Sequence, residues 1–99
     1  MDTVLLVWRV NKETGGHLME RTQLKVSKKT EPKRLAGLIK TYIINGKMCE
    51  IKALGAEPIN ITVKALALVN TMFEQHYKCE IKYFHDPGNI TGIMFEVWA

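Results

Sequence analysis

The chain has only two cysteines, three prolines and no long apolar run, and these shortages exclude several classes of protein. Cys49 and Cys79 have no C-x-x-C or C-x-x-H neighbour, so we expect reduced, half-buried structural thiols. No apolar run approaches the roughly 18 residues that a membrane-spanning helix needs. The first residues, M-D-T-V-L-L-V-W-R-V, show no signal-peptide cleavage pattern. We therefore expect a cytoplasmic protein without a membrane partner.

Signatures of catalysis are also missing. The patterns G-x-S-x-G, H-E-x-x-H and the P-loop are absent. The three histidines, His17, His76 and His85, have no ligand spacing to one another or to the cysteines. His85 and Asp86 form the one pair that resembles a catalytic acid and base. Because they come directly before a predicted turn, a solvent-exposed position in that turn explains them without catalysis. The sequence therefore predicts that the protein is not an enzyme and uses no metal ion or cofactor.

The composition is that of a small basic domain. The chain has 99 residues, of which 46% are hydrophobic, which suits one folded domain and argues against disorder. A net charge of +4 and a pI near 9.2 are compatible with a polyanionic partner but do not require one. The position of the charge is more informative than its total. Lys28, Lys29, Lys33 and Arg34 fall within seven residues and form the densest basic patch.

The N-terminal half predicts two strands followed by a helix. Apolar residues at 3–10 and alternation at 17–28 indicate strands, and the N-K-E-T-G-G segment between them favours a hairpin. Thr30, Glu31 and Pro32 form a helix-start signature in which the threonine hydroxyl is the predicted cap. Asn45 and Gly46 predict the end of this helix through a left-handed cap. Its apolar residues, at helical spacing, are Leu35, Leu38, Ile39, Tyr42 and Ile43.

The C-terminal half predicts the order strand, helix, strand, strand. Residues 48–54 alternate as a strand, and Pro58 starts a helix that we expect to run to about Gln75. Strands at 77–84 and 90–98 flank the D-P-G-N turn at Asp86–Asn89. Helices that join parallel strands cross over on one face, so we predict a two-layer α/β (α+β) fold with both helices on one face of a mixed sheet. The predicted apolar stripe of the second helix is Ile59, Val63, Leu66, Val69, Asn70 and Phe73.

Two stretches resemble the stage V sporulation protein S family, which belongs to the Alba-like nucleic-acid-binding superfamily. They are L-K-V-S-K-K-T-E-P-K-R-L-A-G, from Leu24 to Gly37, and E-I-K-A-L-G-A-E-P-I-N-I-T-V-K-A-L-A-L-V, from Glu50 to Val69. The resemblance implies a single Alba-like domain over 1–99, with a core at 22–98 and an N-terminal extension strand and loop at 1–20. It also implies binding to DNA or RNA, a regulatory role, and a homodimer or higher homo-oligomer.

The resemblance and the charge pattern together predict a phosphate-binding surface. In such a fold the turns that enter the two helices emerge at the same edge of the sheet, which brings Ser27–Thr30 beside Gly55–Glu57. Helix N-termini carry free N–H groups and partial positive charge, so they suit a phosphate. We expect backbone contacts that do not read bases. The predicted nucleic-acid-binding residues are Lys28, Lys29, Lys33, Arg34, Lys40, Gly55, Asn60 and Lys64.

Two alternatives stay open at this point. The basic patch is also compatible with a solvated loop and helix face, and the chain with an oligomeric interaction or scaffold protein that does not touch nucleic acid. Placement of Lys28, Lys29, Lys33 and Lys40 on one exposed face favours nucleic acid. Pairing of these lysines with Glu31, Glu57 or a neighbouring subunit favours the scaffold. For a dimer, the sequence points to the N-terminal strand, because it has Val4, Leu6, Trp8 and Val10 on one face and Leu5 and Val7 on the other.

Overall fold

The computed structural model describes residues 3–11, 17–85, 87–88 and 90–99, and for 3–11 and 17–19 it describes the backbone alone. The predicted apolar faces of the N-terminal strand, and Asp86 and Asn89 of the predicted turn, therefore lie outside the described residues. The strands are β1 (Thr3–Asn11), β2 (His17–Val26), β3 (Met48–Ala53), β4 (Lys78–His85) and β5 (Thr91–Trp98). The helices are α1 (Pro32–Ile44) and α2 (Ala56–Thr71). This is the predicted element order.

The described strands form one mixed sheet in the order β1-β2-β3-β5-β4. The β1–β2 hairpin is antiparallel, as predicted, and α1 connects the parallel neighbours β2 and β3. Strand β5 lies antiparallel between β3 and β4, so β4 runs parallel to β3 without touching it. The predicted two-layer α+β fold is confirmed, and the topology is consistent with an Alba-like domain.

The hydrophobic core lies between one face of the sheet and both helices. Alternate residues of β2, β3 and β5 point to the helices and are almost fully buried. From the sheet these are Leu24, Val26, Cys49, Ile51, Ala53, Phe95 and Val97. Leu35, Ala36, Ile39 and Ile43 of α1 and Ile61, Ala65, Leu66 and Val69 of α2 complete the core. The strict two-residue period of the strands explains why one face takes all of these residues.

Helix α1 confirms the predicted end and corrects the predicted start. At the end, Gly46 adopts φ +72°, the Lys47 N–H donates to the Tyr42 carbonyl at 2.9 Å, and the Gly46 N–H donates to the Ile43 carbonyl at 3.0 Å. This pair of bonds is a Schellman cap. At the start, the residue before the helix is Glu31, and no side chain caps it. The prediction that the Thr30 hydroxyl caps the helix is therefore wrong.

Helix α2 begins and ends earlier than the sequence predicts. It starts at Ala56, two residues before Pro58, and it ends at Thr71 rather than near Gln75. The predicted stripe is also displaced, because Val63 is exposed while Ile61, Thr62 and Ala65 are buried. The physical reason is that apolar residues occupy nearly all sides of this helix, so the 3.6-residue period does not define one face.

Candidate nucleic-acid interface

The register of the sheet brings the two helix-entering turns together. Strands β2 and β3 are parallel, and their last paired residues are Val26 and Ala53. The turn at 27–31 and the turn at 54–55 therefore leave neighbouring strands at the same edge of the sheet. Because β4 runs parallel to β3, the last residue of β4, His85, lies at this edge as well. The juxtaposition that the sequence predicts is present in the fold.

The S-K-K-T segment folds into a tight turn that presents its two lysines. The Thr30 N–H donates to the Ser27 carbonyl at 3.1 Å, and the Ser27 N–H donates to Thr30 Oγ1 at 3.1 Å. The Lys29 N–H donates to Ser27 Oγ at 3.2 Å. The hydroxyls thus close the turn on the protein side, and Lys28 and Lys29 are left exposed at its tip. Such side-chain-to-backbone bonds are what Ser and Thr supply in turns.

The first turn of α1 adds two more exposed cations, Lys33 and Arg34. Pro32 occupies the first helical position, where it loses no helical hydrogen bond. The first bond of the helix is donated by the Leu35 N–H to the Glu31 carbonyl at 3.0 Å. The backbone N–H groups before Leu35 have no intrahelical acceptor, so this end of the helix can donate to an anion.

The second helix start depends on Gly55. This residue has φ +94° and ψ 163°, a conformation that is essentially restricted to glycine, and no side chain caps α2. Glu57 is exposed in the first turn, where it interacts favourably with the helix dipole. A carboxylate at this position repels phosphate, so the second turn offers N–H groups rather than cations.

Two basic residues that the sequence analysis did not select, Lys25 and Lys52, reach the same edge. They are direct neighbours in the register of β2 and β3, on the face away from the helices. Lys25 is exposed, and Lys52 Nζ lies 5.5 Å from the centre of the Phe84 ring. Strand alternation indicated their face, but only the pairing of β2 with β3 brings them together. We define the basic edge as Lys25, Lys28, Lys29, Lys33, Arg34 and Lys52.

The basic edge is not neutralised by the acids that adjoin it. Lys28, Lys29, Lys33 and Arg34 are all exposed. Over the described residues, none of these four side chains forms an ion pair with Glu31 or Glu57. For Lys28, Lys29 and Lys33 this is the arrangement that the sequence analysis associated with nucleic acid rather than with a scaffold. Lys40, the fourth lysine of that criterion, is half-buried.

Three predicted site residues lie farther along the helices. Lys40 is half-buried, and its Nζ lies 4.8 Å from the centre of the Phe73 ring, so it already has a contact within the protein. Asn60 and Lys64 are exposed and one turn apart on α2, the helix that begins directly after Gly55. The Asn60 side chain caps no backbone group in the part of the chain that the structure describes. Asn60 and Lys64 are therefore accessible on α2, whereas the Lys40 ammonium already contacts an aromatic ring.

A second group of charged side chains lies on the sheet face away from the helices, and its members pair with one another. Arg21 Nη1 donates to Glu96 Oε2 at 2.5 Å and to Glu50 Oε2, and Gln23 Nε2 donates to Glu50 Oε1 at 2.7 Å. Lys82 Nζ lies 2.7 Å from Glu96 Oε1. Burial favours a raised pKa for Glu96, but hydrogen bonds and charge from Lys82 and Arg21 outweigh it and lower the pKa. These cations have carboxylate partners, unlike Lys28, Lys29, Lys33 and Arg34 in the part of the chain that the structure describes.

Three charged residues are buried on the sheet face that neither helix covers. Arg21, Glu50 and Glu96 are 8%, 3% and 5% exposed although they lie on the polar face. Their mutual pairing makes this burial possible, because charges that are hydrogen-bonded to one another lose less on leaving water.

The two cysteines differ more than the sequence predicts. Cys49 is part of the core, and burial, followed by the charge of Glu50, raises its pKa to about 12. Cys79 is exposed on β4. The prediction of two half-buried thiols is therefore wrong for both. Among the described residues, no group of three or more His, Cys, Asp or Glu side chains could hold a metal ion. Neither described helix combines the length and apolarity needed to cross a membrane.

Comparison with protein-family models gives a match that covers most of this architecture. Residues 22–84 match the model described as stage V sporulation protein S (SpoVS). The matched segment runs from within β2 to near the end of β4, so it contains both helices, both helix-entering turns and every residue of the basic edge. Comparison with curated protein sequences gives no match.

Proposed function

The chain belongs to the stage V sporulation protein S family, and we propose that it binds DNA or RNA by holding the phosphate backbone at the basic edge. The observation that carries the proposal is the set of four exposed cations on the 27–31 turn and the first turn of α1, which form no ion pair with any described residue. Cations in the first turn of a helix oppose its dipole and cost a few tenths of a kcal/mol or more. An anion bound at the same place reverses that cost.

The proposed contact has two parts. Lys28 and Lys29, at the tip of the turn, and Lys33 and Arg34, on the helix, supply mobile positive charge. The N-termini of α1 and α2 supply backbone N–H groups, and Gly55 lets a phosphate approach the second of these without a side chain in the way. These are contacts to phosphate oxygens, which position a nucleic acid without reading its sequence.

The family description associates its members with sporulation. We propose that this chain acts there as a regulatory or architectural nucleic-acid-binding protein. Weak discrimination among sequences follows from contacts to the backbone, and it suits a protein that covers or organises nucleic acid.

Fluorescence anisotropy with labelled duplex DNA, single-stranded DNA and RNA of unrelated sequences tests the proposal. The variant K28A/K29A should weaken binding roughly 10- to 100-fold at low salt, because two phosphate contacts are lost. The matched control is K47A/K78A. It removes the same charge at the N-terminal ends of β3 and β4, which lie on the side of the sheet away from the basic edge. Equal losses from both variants would indicate general charge instead of a site. A wild-type protein that binds none of the three probes would reject the proposal.

A further inference from the structure

The basic edge continues around the end of the sheet onto the face that the helices do not cover. Lys28 and Lys29 are on the turn that leads into α1, whereas Lys25 and Lys52 are on the opposite, polar face of the sheet. Lys25 is exposed and Lys52 is half-buried, and neither forms an ion pair with a described residue. The cations therefore lie on two sides of one edge, and a ligand that meets all of them has to bend around it.

An aromatic ring lies on the polar face beside Lys52. Phe84 is two residues beyond Lys82 on β4, so it shares that face, and its register partner in β5 is Gly92. A Cβ atom at position 92 would lie 2.6 Å from Phe84 Cε1 and 2.7 Å from Phe84 Cζ, so the ring fills the space that a side chain there would take. Strand β5 thus covers one side of the ring, which is only half-buried overall. Lys52 Nζ lies 5.5 Å from the ring centre.

We propose that the basic edge binds single-stranded DNA or RNA in preference to a duplex, with a base stacked on Phe84 and the adjoining phosphates held by Lys25 and Lys52. This inference rests on the proposed function. Every base has a face that can stack on an aromatic ring, but in a duplex those faces are already stacked on neighbouring base pairs. A positively charged surface that includes an aromatic ring is the usual means of binding single strands without reading their sequence.

The placement of the cations also favours a flexible ligand. Duplex DNA has a persistence length of about 150 base pairs, so it stays nearly straight over the width of a small domain. A straight duplex that contacts Lys28 and Lys29 on the turn does not follow the edge round to Lys25 and Lys52. A single strand bends at each nucleotide and reaches both sides. The two lysines on the polar face therefore contribute to binding of a single strand more than to binding of a duplex.

Acidic residues limit the site on the polar face. Glu50, Glu96 and Glu80 are register neighbours across β3, β5 and β4, one row farther from the basic edge than Lys52. The two cations that pair with this row are Arg21 and Lys82, so its three carboxylates exceed its cations by one. A phosphate is therefore not attracted beyond Lys25 and Lys52. The strand is expected to stay along the edge and not to cross the sheet.

Fluorescence anisotropy with labelled oligo-deoxythymidine, oligo-uridine and a DNA duplex of the same length tests the inference. We expect the wild type to bind the single strands more tightly than the duplex. F84L keeps an apolar cover over Gly92 but removes the ring, and it should weaken single-strand binding roughly 5- to 100-fold. K25A/K52A does not depend on the packing of the ring, and it should weaken single-strand binding roughly tenfold or more. Both variants should bind the duplex within about twofold of the wild type, whereas K28A/K29A should weaken binding to all three probes.

The matched control is Y42L. Tyr42 is also half-buried, and Lys47 Nζ lies 5.8 Å from its ring centre, but it is near the C-terminal end of α1, away from the basic edge. Y42L should bind like the wild type, and F84Y, which keeps the ring, should retain single-strand binding. A loss with F84L for only one of the two single-stranded probes would identify that nucleic acid as the ligand.

The outcomes separate this inference from the proposed function. If K28A/K29A weakens binding to all probes while F84L and K25A/K52A leave single-strand binding unchanged, the proposed function stands and this inference is overturned. It is also overturned if F84L weakens duplex and single-strand binding equally, because the ring then has only a structural role. A wild-type protein that binds none of the probes would reject both.

Discussion

Replacing Arg21 with methionine should be among the most destabilising single changes on the polar face of the sheet. Arg21 bridges Glu50 and Glu96, which are direct partners in the register of β3 and β5. All three residues are buried. Without the arginine, two carboxylates stay side by side in a site with little water. Removing one partner of a buried ion pair costs about 3–5 kcal/mol, which is a large part of the stability of a small domain.

Urea unfolding at neutral pH measures this loss as a shift in the midpoint at constant slope. The control is K47M, which breaks the half-exposed pair of Lys47 with Glu20, whose Nζ–Oε1 distance is 2.8 Å. Exposed pairs contribute about 1 kcal/mol or less. If R21M costs no more than K47M, the group on the polar face is an ordinary surface network, and our account of its burial is wrong.

The pH dependence of R21M has a definite sign. In the wild type the Glu96 pKa is lowered below its ordinary value of 4.5. The corresponding stability is fully present above that value and is lost as the pH falls through the folded-state pKa. R21M removes one of the two cations that lower the Glu96 pKa, so this pKa rises and the variant loses less on acidification. The difference in stability between wild type and R21M should therefore shrink below pH 4.5. A difference that widens there would contradict the assignment.

Three further predictions follow from the local geometry. G55A should destabilise the fold by roughly 1–3 kcal/mol because of the positive φ, measured by urea unfolding, whereas G37A, in the interior of α1, should be neutral or stabilising. A thiol reagent should label Cys79 in the native protein and Cys49 only on unfolding, and two fast thiols would contradict the buried position of Cys49. K28A/K29A should change the free energy of unfolding by about 0.5 kcal/mol or less, since both side chains are exposed and make no ion pair in the described part of the chain.

The parts of the fold that the sequence predicted well are those with local signals. The end of α1 was predictable because Asn45-Gly46 has one common use, a left-handed cap after a helix. The position of the two helix-entering turns at one edge of the sheet was predictable. A helix that joins parallel strands returns the chain to the edge where the first strand began, so both strands end at the same opposite edge. The same reasoning placed Lys28 and Lys29 beside the second turn, whereas the sequence left open whether their side chains are exposed or paired.

The parts that the sequence missed depend on distant pairings or on an uninformative pattern. Arg21 meets Glu50 and Glu96 across separations of 29 and 75 residues, so no local period predicts the group. Lys25 and Lys52 join the basic edge only through the register of β2 with β3. Thr30 carries a helix-start signature, but its hydroxyl is used within the preceding turn. In each case the local sequence allows more than one contact for the residue, and the folded structure determines which contact forms.

The most direct test of the central claim is the salt dependence of binding to unrelated DNA and RNA sequences. If the basic edge neutralises about four to six phosphates, log K should fall with log salt with a slope of about −3 to −5, and K28A/K29A should reduce the slope by about 2. Affinities for unrelated sequences should be similar. A complex that is insensitive to salt, or one that binds a single sequence tightly and others weakly, would contradict recognition of the backbone by the basic edge.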